Sequence, residues 1–427
     1  MQPERRTLAV LSVVVFLVMT GISIVVPVLP AFGESFGVSG FLIGLLVGAL
    51  AGTRVLLDLP SGVLGDRFGH RRMMTTGLGI IAGTSLLAVV PAFLERGLLP
   101  YAILLGIRIT EGIGSAFYVT SSLAALARSA PSERRGAHMS VYVSALLTGQ
   151  IVGPVIGGGA AAVGGLFAPF LAYGALAAAG LVLVHRYLPP GAFSPDVRRV
   201  DRKAVRSLLR SRDFVLVNLG TMAAFFIRAG LINTVLPFHV ANVLGISFSA
   251  EKGPETVAAY TGLLITAVAL ASLATMWPAG RWSDRRGRKG PFVVSLVLMG
   301  LTAPFIYLAK DRWTLVAVMV AYGFVLGLHG PLASWASDLV PKAQMGTGMG
   351  LYRTIGDVGF LLGPLTMGAL LTVFRTPVDV TIWPFLVAGV YAVVSGLLLL
   401  AAEDPVGRRL REGVTAGGAV APDLLQK

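Results

Sequence analysis

Gly62–Arg72 reads GVLGDRFGHRR, a short polar island between two long apolar runs, and Gly280–Gly290 reads GRWSDRRGRKG in the same setting. Superimposed, Gly62 falls on Gly280, Asp66 on Asp284, Arg67 on Arg285, Gly69 on Gly287 and Arg71 on Lys289. Asp284 thus follows Asp66 by 218 residues, about half the chain. A second echo runs at an offset of 210: Pro131, Gly136, Met139, Tyr142, Gly149, Gly153, Pro154 and Gly158 fall without a gap on Pro341, Gly346, Met349, Tyr352, Gly359, Gly363, Pro364 and Gly368. A chain that repeats in parallel, with several apolar spans in each half, predicts two pseudo-symmetric helical bundles in a membrane. In each island glycine lets two helices turn back tightly, and aspartate and arginine tie the helix ends together.

Composition fixes the class. Apolar residues make up 55% of the 427 and charged residues only 13%, against about 25% in a soluble domain, and mean hydropathy is +0.78. Twelve spans of about 20 residues take up most of this length. A net charge of +14 invites a nucleic-acid reading, but the basic residues sit in short loops on one side, as the positive-inside rule requires, which argues against nucleic acid as a partner. Cysteine is absent, so no disulfide or thiolate metal site is available. The first apolar run is longer than a signal-peptide core and has no small-residue cleavage site, so it reads as a retained helix.

Helices are predicted near Leu8–Phe32, Phe41–Leu64, Met73–Phe93, Leu98–Ala127, Gly136–Val163 and Leu166–Tyr187, within an N-terminal bundle at 1–188. Six more are predicted near Phe214–Val243, Tyr260–Trp282, Pro291–Ala309, Trp313–Val340, Met345–Phe374 and Ile382–Ala402, within a C-terminal bundle at 213–404. These are spans 1 to 12. Pro27 and Pro30 should kink or stop span 1. Arg5, Arg6, the loop Arg128–Arg135 and Arg408, Arg409 and Arg411 place both termini in the cytoplasm of a multi-pass cell-membrane protein. Residues 189–212 form a basic cytoplasmic linker, read either as an amphipathic helix on the anionic inner leaflet or as a plain connection. Residues 405–427 read as a disordered cytoplasmic tail.

On these residues the chain resembles the major facilitator superfamily over nearly its whole length. GVLGDRFGHRR matches that family's signature loop between spans 2 and 3, and GRWSDRRGRKG its second copy between spans 8 and 9. Arg108, Gly112 and Gly114 resemble the family's span 4 motif, and PVLP in span 1 resembles one of the twelve-helix drug:proton antiporters. Gly149, Gly153, Pro154, Gly157 and Gly158 in span 5 resemble the antiporter motif typical of exporters. The resemblance implies an all-α fold of twelve helices in two six-helix bundles, a cavity lined by spans 1, 4, 7 and 10, and proton-driven export. The glycine spacing alone has a plainer reading: small residues four apart let helices approach closely, and Pro154 bends the helix, so spans 5 and 8 would meet as a hinge or a seal.

Charges inside spans are costly and mark function by default. Arg54/Asp58, Arg108/Glu111 and Arg353/Asp357 are spaced three or four apart, so each pair shares a helix face and can neutralise itself. For Arg54/Asp58 that self-contained pair is the expectation. Asp357 and Glu111 fall near mid-membrane, and Asp357 and Arg353 align in the repeat with Leu147 and Val143, so shared packing does not demand them. They are the candidate proton carriers, with Arg353 and Arg108 tuning them. Arg228, mid-way along span 7, has no acid within reach on its own helix and needs Glu111, Asp357 or a substrate anion. Arg228, His329, Asn233, Phe226 and Thr20 are the candidate substrate-binding residues, with His329 more simply a neutral histidine donating to a carbonyl. Gly62, Asp66, Arg67, Gly69, Asp284 and Arg285 are the candidate conformational latch, holding helix ends together until the cavity opens inward.

The expected function is proton-coupled efflux of small amphiphilic compounds by alternating access, by a monomer whose partners are substrate, protons and the bilayer. The alternative is a transporter of an organic anion clamped by Arg228 and Arg108. No phosphate-binding P-loop and no His/carboxylate cluster with metal-ligand spacing is present in the sequence, so neither enzyme chemistry, nor a cofactor, nor a metal is expected.

Overall fold

The computed structural model describes residues 3–129, 134–188, 202–330, 332–341, 344–375 and 380–417. Twelve helices in it are long and apolar enough to cross a membrane: Glu4–Ser35, Gly40–Phe68, His70–Phe93, Leu98–Ser129, Gly136–Gly164, Ala168–Tyr187, Arg212–Leu244, Gly253–Arg286, Lys289–Leu308, Arg312–Asp338, Met345–Phe374 and Trp383–Ala401. No strand occurs among the described residues. The islands and basic loops gather at one end, here the basic side, and the opposite end is the far side.

The breaks in the spans have local causes. Span 1 turns at Val26–Val28, beside Pro27, and resumes as Leu29–Ser35. Span 10 breaks after Gly327 and resumes at Leu332, where the sequence GLHGP removes both helix propensity and an N–H. Span 7 widens to a π-helix over Arg228–Val235 before Leu236–Leu244. Pro237 has no N–H for the carbonyl one turn back, and within the π-helix the Thr234 hydroxyl donates to Ala229 O at 2.9 Å.

The repeat seen in the sequence governs the packing. Gly149 and Gly153 lie on span 1, against Phe16 O and Thr20 O, and their counterparts Gly359 and Gly363 lie on span 7, against Met222 O and Phe226 O. Gly44 packs on the Pro364 carbonyl, and Gly262, 218 residues later, packs on the Pro154 carbonyl. Each half therefore lends a glycine of its second span to the bent fifth span of the other, giving two seams, 2/11 and 5/8. Gly158 closes the 5/8 seam, where a Cβ would stand 2.8 Å from Ala259 Cα; Gly157 packs instead on Ile24 of span 1. On the far side Phe41 N–H donates to Thr372 Oγ1 at 2.8 Å and Arg375 pairs with Glu34 at 2.8 Å, both across the halves. Beyond Asp58 and Arg353 toward the basic side, no hydrogen bond or ion pair joins the halves among the described residues. The molecule is closed on the far side.

Two expectations change at the periphery. Residues 189–201 of the linker lie outside the described residues, but Arg202–Arg210 is an amphipathic helix. Its apolar side (Ala204, Leu208) packs on protein, with Leu208 against Phe214 and Val340, so that face is not free for a lipid surface. The expected disordered tail is a helix over Pro405–Gly417. Asp404 starts it, accepting from Gly407 N–H at 2.9 Å while also accepting from Lys289 N–H at 3.0 Å. Residues 418–427 lie outside the described residues.

Candidate functional site

Two adjoining cavities occupy the middle of the molecule. The smaller, about 140 Å³, is walled by spans 1, 2, 4, 5, 7, 8 and 11 and includes Ser23, Arg54, Arg108, Gln150, Arg228, Asn233 and Asp357. The larger, about 330 Å³, extends toward the basic side between spans 5, 7, 8, 10 and 11, and includes Val143, Leu147, Met276, Leu326, His329 and Tyr352. Gln150, Arg228, Asn233 and Ile265 line both, so they stand at the junction.

The intramembrane charges pair differently from the sequence expectation. Arg54 Nη2 donates to Asp357 Oδ2 at 2.8 Å, and Arg353 Nε faces Asp58 Oδ2 at 3.5 Å. The self-contained pairs Arg54/Asp58 and Arg353/Asp357 do not form; each arginine crosses from one half to the carboxylate of the other. The cause is the 2/11 seam: with Gly48 and Gly52 against Leu361, the two helix faces lie close enough for the charges to exchange partners. Arg108 and Glu111 do pair within span 4, at 2.5 Å, and Glu111 also accepts from Ser85 Oγ at 2.7 Å. Glu111 is fully buried behind Arg108, which is the member that reaches the cavity.

Arg228 lies at the junction with neither expected partner, since Glu111 and Asp357 are both engaged elsewhere. Asn233 joins it there because the π-helix brings both onto the cavity wall. Two other candidates lie elsewhere. Thr20 is buried where span 1 meets Gly149 of span 5, and the nearby Ser23 faces the cavity in its place. Phe226 packs on Tyr391, ring centroids 4.7 Å apart, while Phe225 faces the larger cavity. For the phenylalanines a difference of one residue in helix phase decides which ring faces the cavity. His329 lines the larger cavity with its ring on Phe292, and its Nδ1 has no hydrogen-bond partner, so the expected donation to a carbonyl is absent at that atom. Gln150 was missed; a carboxamide amid the small residues of span 5 was the available signal. Arg54, expected to be spent on Asp58, instead lines the smaller cavity.

The islands stay within their own halves. Asp66 accepts from Arg128 at 2.6 Å and lies 3.3 Å from His70; Asp284 pairs with Arg288, which also donates to Asp338 at 2.9 Å. Arg67 lies over the Phe68 ring, and Arg71 and Lys289 repeat one another, donating to the end carbonyls His185 O and Leu400 O at 2.7 and 2.9 Å. Burial of the Arg288 guanidinium works against its charge, but its hydrogen bonds to Asp338 and Asp284 outweigh this and raise its pKa. Among the described residues no group of three or more metal-ligating side chains is found.

The sequence profile of the Major Facilitator Superfamily matches residues 11–260 and 219–425. The chain is 25% identical to a multi-drug resistance efflux pump PmrA homolog of Lactococcus lactis subsp. lactis, over 86% of this chain and 88% of that one. It is 24% identical to the staphyloferrin B transporter of Staphylococcus aureus, over 93% and 92%. The crystal structure of a bacterial homolog to the human lysosomal transporter Spinster, in an inward-facing and occupied conformation, superposes with a TM-score of 0.74 at 15% identity, covering 92% of this chain and 95% of that one. With both halves matched, twelve spans in place and the internal repeat reproduced in the packing, the chain belongs to the Major Facilitator Superfamily of membrane transporters.

Proposed function

We propose that the protein is a monomeric secondary transporter that exports small amphiphilic compounds in exchange for protons, by alternating access, with its basic side and both termini in the cytoplasm. The supporting observation is the Arg54–Asp357 bond: a carboxylate on the cavity wall is also a bond between the halves. Protonating Asp357 removes its charge, releases Arg54 and weakens the 2/11 seam; deprotonation restores it. Occupancy of the cavity and closure of the far side are thereby linked through one proton. Glu111, held by Arg108, is a second carrier on the N-terminal half, and Arg353 holds Asp58 at the edge of the same seam. The islands act as latches when the basic side closes, and here each rests on its own half. Likeness to efflux pumps along most of the chain supports the direction.

The test is proton release from purified protein in weakly buffered detergent as lipophilic cations, neutral drugs and organic anions are added. At least one class should displace protons from the wild type, and Asp357→Asn or Glu111→Gln should abolish the release. If no class displaces a proton while compounds still bind, proton antiport is wrong.

A further inference from the structure

Away from their ends the spans hold four arginines (Arg54, Arg108, Arg228 and Arg353) and three carboxylates (Asp58, Glu111 and Asp357). The structure pairs the three acids one to one with Arg353, Arg108 and Arg54. Arg228 is left over. Among the described residues it makes no ion pair, and no carboxylate is left over to pair with it. A lone guanidinium at this depth is expensive unless something supplies the opposite charge.

Its surroundings describe what that is. Gln150 and Asn233 share the junction with Arg228, so two carboxamide residues and an arginine line the same stretch of wall. On the basic side of that stretch the larger cavity is walled by Val143, Leu147, Val268, Leu273, Met276 and Leu326. At about 330 Å³ it is at the small end of ligand sites. The carboxylate on the wall of the smaller cavity does not draw a cation, because Asp357 is neutralised by Arg54, and Glu111 stands off the wall behind Arg108.

Taking the transporter reading as its basis, we propose that the substrate is an amphiphilic organic acid, its carboxylate held by Arg228 with Asn233 and Gln150 and its ring or chain in the apolar cavity between spans 5, 7, 8 and 10. Arg228 is the ideal donor for this, since a guanidinium forms two parallel bonds to a carboxylate. The bound anion supplies the missing fourth negative charge, so the loaded cavity is electrically balanced and the empty one is not.

Three ligands of one shape separate the charges: 2-naphthoate, its neutral amide and the naphthalen-2-ylmethylammonium cation, titrated calorimetrically into purified protein in detergent against protein-free micelles. Naphthoate should bind the wild type most tightly. Arg228→Gln should weaken it about 10- to 100-fold, to the level of the amide, the loss of a charge-assisted hydrogen bond. Arg228→Lys, which keeps the charge but not the two parallel bonds, should fall between the wild type and Arg228→Gln, which shows that charge and not folding is at issue. Naphthoate binding no better than its amide, or binding Arg228→Gln unchanged, overturns the proposal. If naphthoate binding depends on Arg228 but displaces no proton, the anion site stands and proton antiport falls.

Discussion

The two seams between the halves are built alike and end differently. Gly44 on Pro364 and Gly262 on Pro154 are the same contact made twice. About two to four turns further toward the basic side, the 2/11 seam carries Arg54, Asp58, Arg353 and Asp357, while the corresponding positions of the 5/8 seam are Ser272, Met276, Val143 and Leu147. The charged set crosses the gap as two ion pairs; the other set lines the larger cavity. Shared glycines set how close the helices come, and the four positions beyond them decide whether the gap is tied or left as a chamber. One seam holds the halves together and the other holds the room for a ligand.

That difference is open to attack at each position. The largest effect is expected for Asp357→Ala, which strands Arg54 in a nearly dry site; breaking a buried pair on one side costs about 3 kcal/mol. Heat unfolding in detergent reads this, and the exchanged pair Arg54→Asp with Asp357→Arg should recover more than half of the loss. If the double variant is as unstable as the two single losses added, the pair does not tie the seam. Next come Gly44→Ala and Gly262→Ala, each of which drives a methyl into a proline carbonyl. Both should cost the far-side-closed form about 2 kcal/mol, as overpacking does. Spin labels on the far-side loops should move apart in both, and movement in only one would show that the seams are not equivalent even where their glycines align. Arg353→Ala should cost about 1 kcal/mol, because its contact with Asp58 is longer and its arginine wetter. Leu147→Ala is expected to be the mildest, under about 1 kcal/mol, since Leu147 borders a void and loses fewer neighbours than a packed leucine. A loss as large as that of Asp357→Ala would mean that the 5/8 chamber is a packed core.

Much of this could be read in the sequence. The islands, the two offsets and the twelve apolar runs yield the fold, and the one-copy status of Asp357 and Arg353 already marked that face of span 11 as special. The span 4 pair was legible because both members sit three apart on one helix. The partners of Arg54 and Asp58 were not. Spacing of four made a local pair look sufficient, yet the partners that form are about 300 residues distant, a proximity that no local pattern encodes. Thr20 and Phe226 failed for a smaller reason: a helix wheel orders the faces of a span but does not say which face meets the cavity. The tail helix was missed because its start depends on Asp404, whose second bond is to Lys289 of another span.

Hydropathy, charge placement and the repeat are properties of the chain taken locally or against itself, and by themselves they determined the membrane fold, its pseudo-symmetry and the set of buried charges. Which charge neutralises which is a property of the seam, because in a low dielectric a guanidinium takes whichever carboxylate the packing brings nearest. Only the tertiary structure decided that three acids serve three arginines and that Arg228 is the one left facing an open cavity.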